Sequence, residues 1–185
     1  YCRYVDRKGE PGPGLTVHKL RQSPQFYGVA RVAEVAPEIA ELREASIEIL
    51  RALDYRGPAG VEFKLDARDG RFRFLEVNGR PVIFNLLLRK AGLDLVSAAW
   101  DDLNGNGAGR AEPGGWPGVW VNIVAEFLYM AFRKDTPPLG WKEFAEPYRR
   151  PKVDAVWAWD DPLPYAAMVA GVAPATMRKA RLPRG

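Results

Sequence analysis

The chain has 185 residues, 47 % of them hydrophobic, and 27 Lys and Arg stand against 23 Asp and Glu for a net charge of +4. That is a globular composition, long enough for one domain, or a domain plus an extension, around a sizeable core. A single cysteine, Cys2, excludes an internal disulfide, and with one histidine, His18, there is no His/Cys set for zinc and no Ser-His-Asp chemistry except through His18.

Tyr1 opens the chain and no signal-peptide apolar core follows, so a fragment of something longer in a reducing, cytoplasmic setting is expected. Tyr1 to Val5 and Leu15 to Leu20 are short β-rich runs. Between them, Asp6 to Gly14 reads as a turn, because Gly-Glu-Pro-Gly-Pro-Gly cannot continue a strand or a helix, and a hairpin is predicted. Gln22 to Val29, with Ser23-Pro24, Phe26 and Tyr27, reads as a loop with anchoring side chains that could approach a ligand. From Pro37 to Leu53, apolar Ile39, Leu42, Ile47, Ile49, Leu50 and Leu53 mix with charged residues as in an amphipathic helix. Proline near its start and acids in its first turns agree with helix entry.

The segment Gly60 to Arg80 has two alternating arms around the turn signal Arg68-Asp69-Gly70. If those three residues form a loop with Gly70 left-handed, Ala67 faces Arg71 and Glu62 lies opposite Glu76. Glu62, Lys64, Asp66, Phe72, Phe74, Glu76 and Asn78 then share a face, and Val61, Phe63, Leu65, Ala67, Leu75 and Val77 take the other. A two-residue Asp69-Gly70 loop is also a good turn and places Glu62 opposite Val77. The first register sorts the apolar residues better, although Lys64 and the two phenylalanines sit badly on its polar face.

Opposed residues have Cβ atoms roughly 4.5 to 5.5 Å apart, so Glu62 and Glu76 repel each other unless a cation sits between them. Asn78 adds a neutral oxygen on the same side. Such hard ligands suit Mg²⁺, whose shell is completed by waters and substrate phosphates. Arg80 follows with a planar fork suited to phosphate or carboxylate. The plain alternative is a surface hairpin with a solvated acidic face. Against it stand the apolar Phe74-Leu75 ahead of Glu76 and the matching acid on the partner strand.

Beyond Arg80, Val82 to Lys90 reads as a short helix stopped at Ala91-Gly92, and Leu93 to Leu103 as another. Asn104 to Gly118, rich in glycine and proline, is the best linker candidate. Trp120, Ile123, Val124, Phe127 and Met130, extended by Phe132, follow helical spacing; the stretch contains Asn122 and Glu126 and is too short to span a bilayer. Trp141, Trp157, Trp159 and an Asp160-Asp161-Pro162 turn lead to a terminal helix over Leu163 to Lys179. From Arg149 onward seven basic and three acidic side chains account for the whole net charge, so a nucleic-acid reading has only this tail and a pI of about 9.3 to lean on.

These residues resemble the later part of an ATP-grasp domain, and within that superfamily the chain is similar to predicted carboxylate-amine ligases related to D-aspartate ligase. The resemblance covers about Tyr1 to Val96 and is most specific over Arg56 to Arg80: an acid before Phe63, then Glu-x-Asn-x-Arg at Glu76, Asn78 and Arg80. It implies an α+β fold with an antiparallel sheet and flanking helices over 1–98, and composition beyond it leads us to expect a Gly/Pro-rich linker at 99–118 and a mostly helical, Trp-rich extension over 119–185. The resemblance also implies ATP and Mg²⁺, with Glu62, Glu76 and Asn78 on the metal and Arg80 at the transferring phosphate or acyl intermediate.

His18 to Pro24 looks like the family's strand and loop ahead of the long helix, which makes Lys19 and Arg21 candidate nucleotide contacts, as readily read as solvated charges. The implied activity is an ATP-dependent ligase: a small-molecule carboxylate becomes an acyl phosphate and an amine attacks it, with Phe26, Tyr27 and Phe84 as candidates for lining the pocket. The family's earlier half, with its glycine-rich phosphate loop, has no counterpart here. A non-catalytic remnant or partner-binding module is therefore the second reading.

Overall fold

The computed structural model describes residues 1–25, 28–107, 112–131 and 139–180, without the side chains of 172–180. Phe26, Tyr27, Phe132, Arg181 and Arg184 lie outside the described residues, as do the side chains of Arg178 and Lys179. The described residues form strands β1 (Cys2–Val5), β2 (Pro11–Ser23), β3 (Val29–Ala36), β4 (Gly57–Asp66), β5 (Arg71–Asn78), β6 (Val119–Val121) and β7 (Lys152–Asp154). They join in one sheet of order β5-β4-β1-β2-β3-β6-β7, antiparallel throughout except for β6 and β7. Helices α1 (Ala40–Ala52), α2 (Asn85–Lys90), α3 (Leu95–Leu103), α4 (Ile123–Ala131), α5 (Trp141–Ala145) and α6 (Leu163–Ala180) complete the expected mixed α+β fold.

β1 is buried along its whole length, and its alternation feeds two cores. Cys2 and Tyr4 join Leu15, Ala33 and Trp120 under α2 and α3, where Leu87 and Leu88 of α2, Leu95 of α3 and Leu93 between them are almost fully buried. Val5 turns the other way, to Ala59, Val61 and Leu50 of α1. Cys2 is a free thiol within the first core, and burial raises its pKa. Asp102, near the end of α3, is buried and accepts from the Tyr4 hydroxyl (3.0 Å) and the Arg7 backbone N–H (2.9 Å), tying that helix to the turn after β1. Burial first, and then the Asp102 carboxylate, push the Tyr4 phenol up to about 12.

Several expectations change. β2 begins at Pro11, inside the stretch expected to be a turn. Residues 11–15 pair only with β1, so the prolines interrupt no ladder on their other side. β2 also runs on to Ser23, taking Gln22 and Ser23 out of the expected loop. Trp120 lies in β6 rather than on a helix that begins at Ile123. Val119, Trp120 and Val121 are all buried between neighbouring strands, and a short, wholly apolar run has no period to separate strand from helix. β6 and β7 thus add strands from beyond the expected linker to the same sheet, and residues 99–103 of that linker lie in α3.

The expected helices end where their chemistry says they should. Gly92, with φ of +84°, follows α2. Asp94 caps α3, its carboxylate accepting from Val96 N (3.2 Å) and Ser97 N (3.1 Å). Asp94→Ala is expected to lower stability by about 1 kcal/mol in urea unfolding. Burial works to raise the Asp94 pKa, but the Ser97 and Val96 N–H groups and nearby Arg89 outweigh it, and the net shift is downward. A carboxylate depressed on folding contributes its stability above the unfolded value, roughly 3.9, and loses it as pH falls through the folded one. The wild-type advantage over Asp94→Ala therefore shrinks in acid.

Candidate functional site

Glu62 lies directly opposite Glu76, with Val61 opposite Val77 and Gly60 opposite Asn78, as the preferred register predicts. The turn beyond them differs. Asp66 pairs with Arg71, so the loop has Ala67 as well as Arg68, Asp69 and Gly70. The Asp66 carboxylate accepts from Arg68 N (3.1 Å), its carbonyl accepts from Gly70 N (2.8 Å), and Gly70 closes the turn at φ of +69°. The Arg68 guanidinium holds the Asp66 carboxyl down to about 2.

That longer loop slips the ladder by one residue, and a bulge between the Glu62 and Phe63 pairs, with Leu75 as the extra residue, slips it back. The bulge also corrects the expected faces. Phe74 pairs with Phe63 and Phe72 with Leu65, with the Phe63 and Phe74 rings edge to face at 6.2 Å. Lys64 pairs with Arg73, and Arg73 Nε lies 3.6 Å from Asp66 on the polar side. The phenylalanines thereby leave the acidic face.

On that face the carboxylates converge on one amide. Asn78 Nδ2 donates to Glu76 Oε1 (2.9 Å) and Glu62 Oε1 (3.3 Å). Lys19, from β2, donates its Nζ to Glu62 Oε2 at 2.6 Å. Lys19 and Glu62 are one-fifth to one-quarter exposed, at 20 % and 27 %, so this pair is shielded more than a surface ion pair. Lys19, Glu62 and Glu76 together leave one net negative charge.

A cation at the point where the two carboxylates meet fits this donor set. Turning the Asn78 amide exchanges Nδ2 for Oδ1 without moving the backbone, leaving three oxygens in place of two oxygens and a donor. Among the described residues no group of three His, Cys, Asp or Glu side chains could hold a metal, so the neutral amide is the third protein ligand such an ion would find here. Arg80 follows the strand in an exposed bend, and its Nη1 donates to the Pro81 carbonyl at 3.3 Å.

Other sequence candidates fall elsewhere. Arg21 pairs with Glu126 of α4 and donates to the Glu143 carbonyl, which sets it in a separate ion-pair cluster with Arg31. His18 is exposed beside Glu34, at 3.6 Å. Phe84 is core, packed edge to face on Trp120 at 6.3 Å and only 5 % exposed. The Lys19 to Glu62 bond is the contact that strand reading misses, since β1 separates their strands and no local pattern reports it.

Among the described residues no helix is long and apolar enough to cross a membrane. No curated protein and no solved structure matches the chain. Residues 33–101, which hold Glu62, Glu76, Asn78 and Arg80, match the family described as the carbamoyl-phosphate synthase L chain, ATP binding domain, and this match supports an ATP-grasp relationship of the ATP-dependent ligase type for that segment.

Proposed function

We propose that the chain forms the later part of an ATP-grasp active site that joins a carboxylate to an amine at the expense of ATP, in the manner of ligases related to D-aspartate ligase. The observation that carries this reading is the convergence of Glu62 and Glu76 on the Asn78 amide, inside the matched segment. Glu62, Glu76 and Asn78 would hold Mg²⁺, which when bound offsets charge on the nucleotide phosphates.

Lys19 holds Glu62 in place through its ammonium and stands close enough to the carboxylates to meet a phosphate oxygen. Arg80 offers an exposed guanidinium to the transferring phosphoryl group and then to the tetrahedral oxyanion. No protein nucleophile is needed. A substrate carboxylate oxygen attacks the γ-phosphorus and ADP leaves; the amine nitrogen then attacks the acyl carbon and inorganic phosphate leaves. On this reading Arg21 positions β2 against α4 rather than touching nucleotide.

The test is MgATP binding and acid-dependent ADP release by the longest natural reading frame that carries these residues, compared with Glu76→Ala and Asn78→Ala. Each substitution is expected to lower turnover on the order of a hundredfold or more. Turnover left intact in both sinks the metal assignment, and calorimetry without MgATP binding would favour a non-catalytic module.

A further inference from the structure

Beside α1 lies an open cavity of about 1020 Å³ whose lining includes Tyr1, Arg3, Thr16, Arg43, Ile47 and Trp116. Arg3 sits inside β1, paired with Gly14 on one side and Ala59 on the other, and is 2 % exposed. Its Nε and Nη1 have no hydrogen-bond partner, and its Cζ lies 5.1 Å from the centroid of the Tyr1 ring. Thr16 is 5 % exposed and its hydroxyl is also without a partner. A guanidinium stays protonated, so buried and unanswered N–H groups on it are costly unless an acceptor comes from outside the chain.

The acceptor is anionic. Arg43 adds a second guanidinium to the lining, Glu38 lies 3.3 Å from it, and the three charges leave a net positive site. Ile47 and Trp116 give the walls apolar surface. Gly14 keeps the floor open, since a Cβ there would stand 2.3 Å from the Tyr1 ring. Arg3 and Thr16 alternate away from Cys2, Tyr4 and Leu15, whereas Lys19 follows the alternation of Leu15 and Val17. The cavity is therefore distinct from the hairpin carboxylates.

We propose that this cavity is a second ligand site, which takes the carboxylate or phosphate group of a small molecule with an apolar body, anchored by Arg3 and the Thr16 hydroxyl. The probes are benzoate, phenyl phosphate and inorganic phosphate, titrated by calorimetry into the wild-type chain, Arg3→Met, Arg3→Lys and Thr16→Val. Methionine keeps a long unbranched side chain and removes a buried charge whose Nε and Nη1 have no hydrogen-bond partner, so its melting temperature is expected to hold or rise.

An organic probe is expected to bind the wild type more tightly than inorganic phosphate, and whether benzoate or phenyl phosphate is preferred tells carboxylate from phosphate. Affinity should fall by roughly tenfold or more in Arg3→Met, the scale of a charge-assisted hydrogen bond, and by less in Thr16→Val. Should Arg3→Met fail to fold, Arg3→Lys and Thr16→Val decide, because both keep the local packing. The proposal is overturned if no probe binds the wild type at about 10 mM, a weak limit for any specific site, or if binding is undiminished in every variant that folds.

Discussion

Replacing Glu126 with alanine is expected to lower the free energy of unfolding by about 3–5 kcal/mol, the scale for stripping one partner from a buried ion pair. The Glu126 side chain is fully buried at the start of α4, between Arg21 of β2 and Arg31 of β3. Arg31 is itself 2 % exposed; its Nη1 lies 3.1 Å from Glu126 Oε1, its Nε donates to the Gln22 carbonyl at 3.0 Å, and its Cζ stands 4.1 Å from the Tyr129 ring centroid. The Nη1 approach is an ion pair without hydrogen-bond alignment, since Glu126 Oε1 has no hydrogen-bond partner. Alanine would remove the buried carboxylate that the Arg21 and Arg31 guanidiniums share. Urea unfolding should report a lower midpoint at constant slope; a loss under about 1 kcal/mol would mean that water reaches both arginines, as at a surface pair. Tyr148 supplies a second readout. Burial first, and Glu126 next, push its phenol up to about 12, so Glu126→Gln should let it titrate lower in ultraviolet absorbance.

That cluster shows where sequence reading stops. Arg21, Arg31 and Glu126 come from separate elements, and nothing local marks them as partners. Alternation, in contrast, is a local signal, and it was enough to place Glu62 against Glu76. The loop length and the bulge were not legible, because each adds one residue and the two cancel at the site. The misfit of Phe72 and Phe74 on the polar face was the only trace of them. Helix α1 was legible from its apolar stripe, whereas β6 was hidden by being apolar on both faces. Arg3 left a visible mark, a charge in the middle of a run whose other members are buried and mostly apolar.

Glu76→Lys is expected to leave the hairpin folded and, on the proposed ligase reading, to reduce magnesium-dependent ATP turnover on the order of a thousandfold. The two halves of that expectation rest on different physics. Opposed like charges destabilise a ladder and opposed unlike charges stabilise it, each by roughly 0.2–1 kcal/mol, so the reversal replaces a repulsion with a cross-strand pair. Lys19 already holds Glu62 at 2.6 Å, which limits the gain. The melting temperature should therefore hold, or rise by about 2–4 °C at most.

The site fares differently. Lys19, Glu62 and Glu76 carry one net negative charge, and the reversal makes it one net positive, with a single carboxylate and an ammonium where a divalent ion would sit. The same reversal at Asp66 separates the two effects. Asp66 shares the strand face with Glu62 but is engaged by Arg68 and Arg73 near the turn. Asp66→Lys should loosen the turn and leave turnover within about twofold, as a surface change away from the chemistry does. If Glu76→Lys kept its turnover, or Asp66→Lys lost as much, the acidic face would be a charge ladder that holds the hairpin together and the chemistry would lie elsewhere.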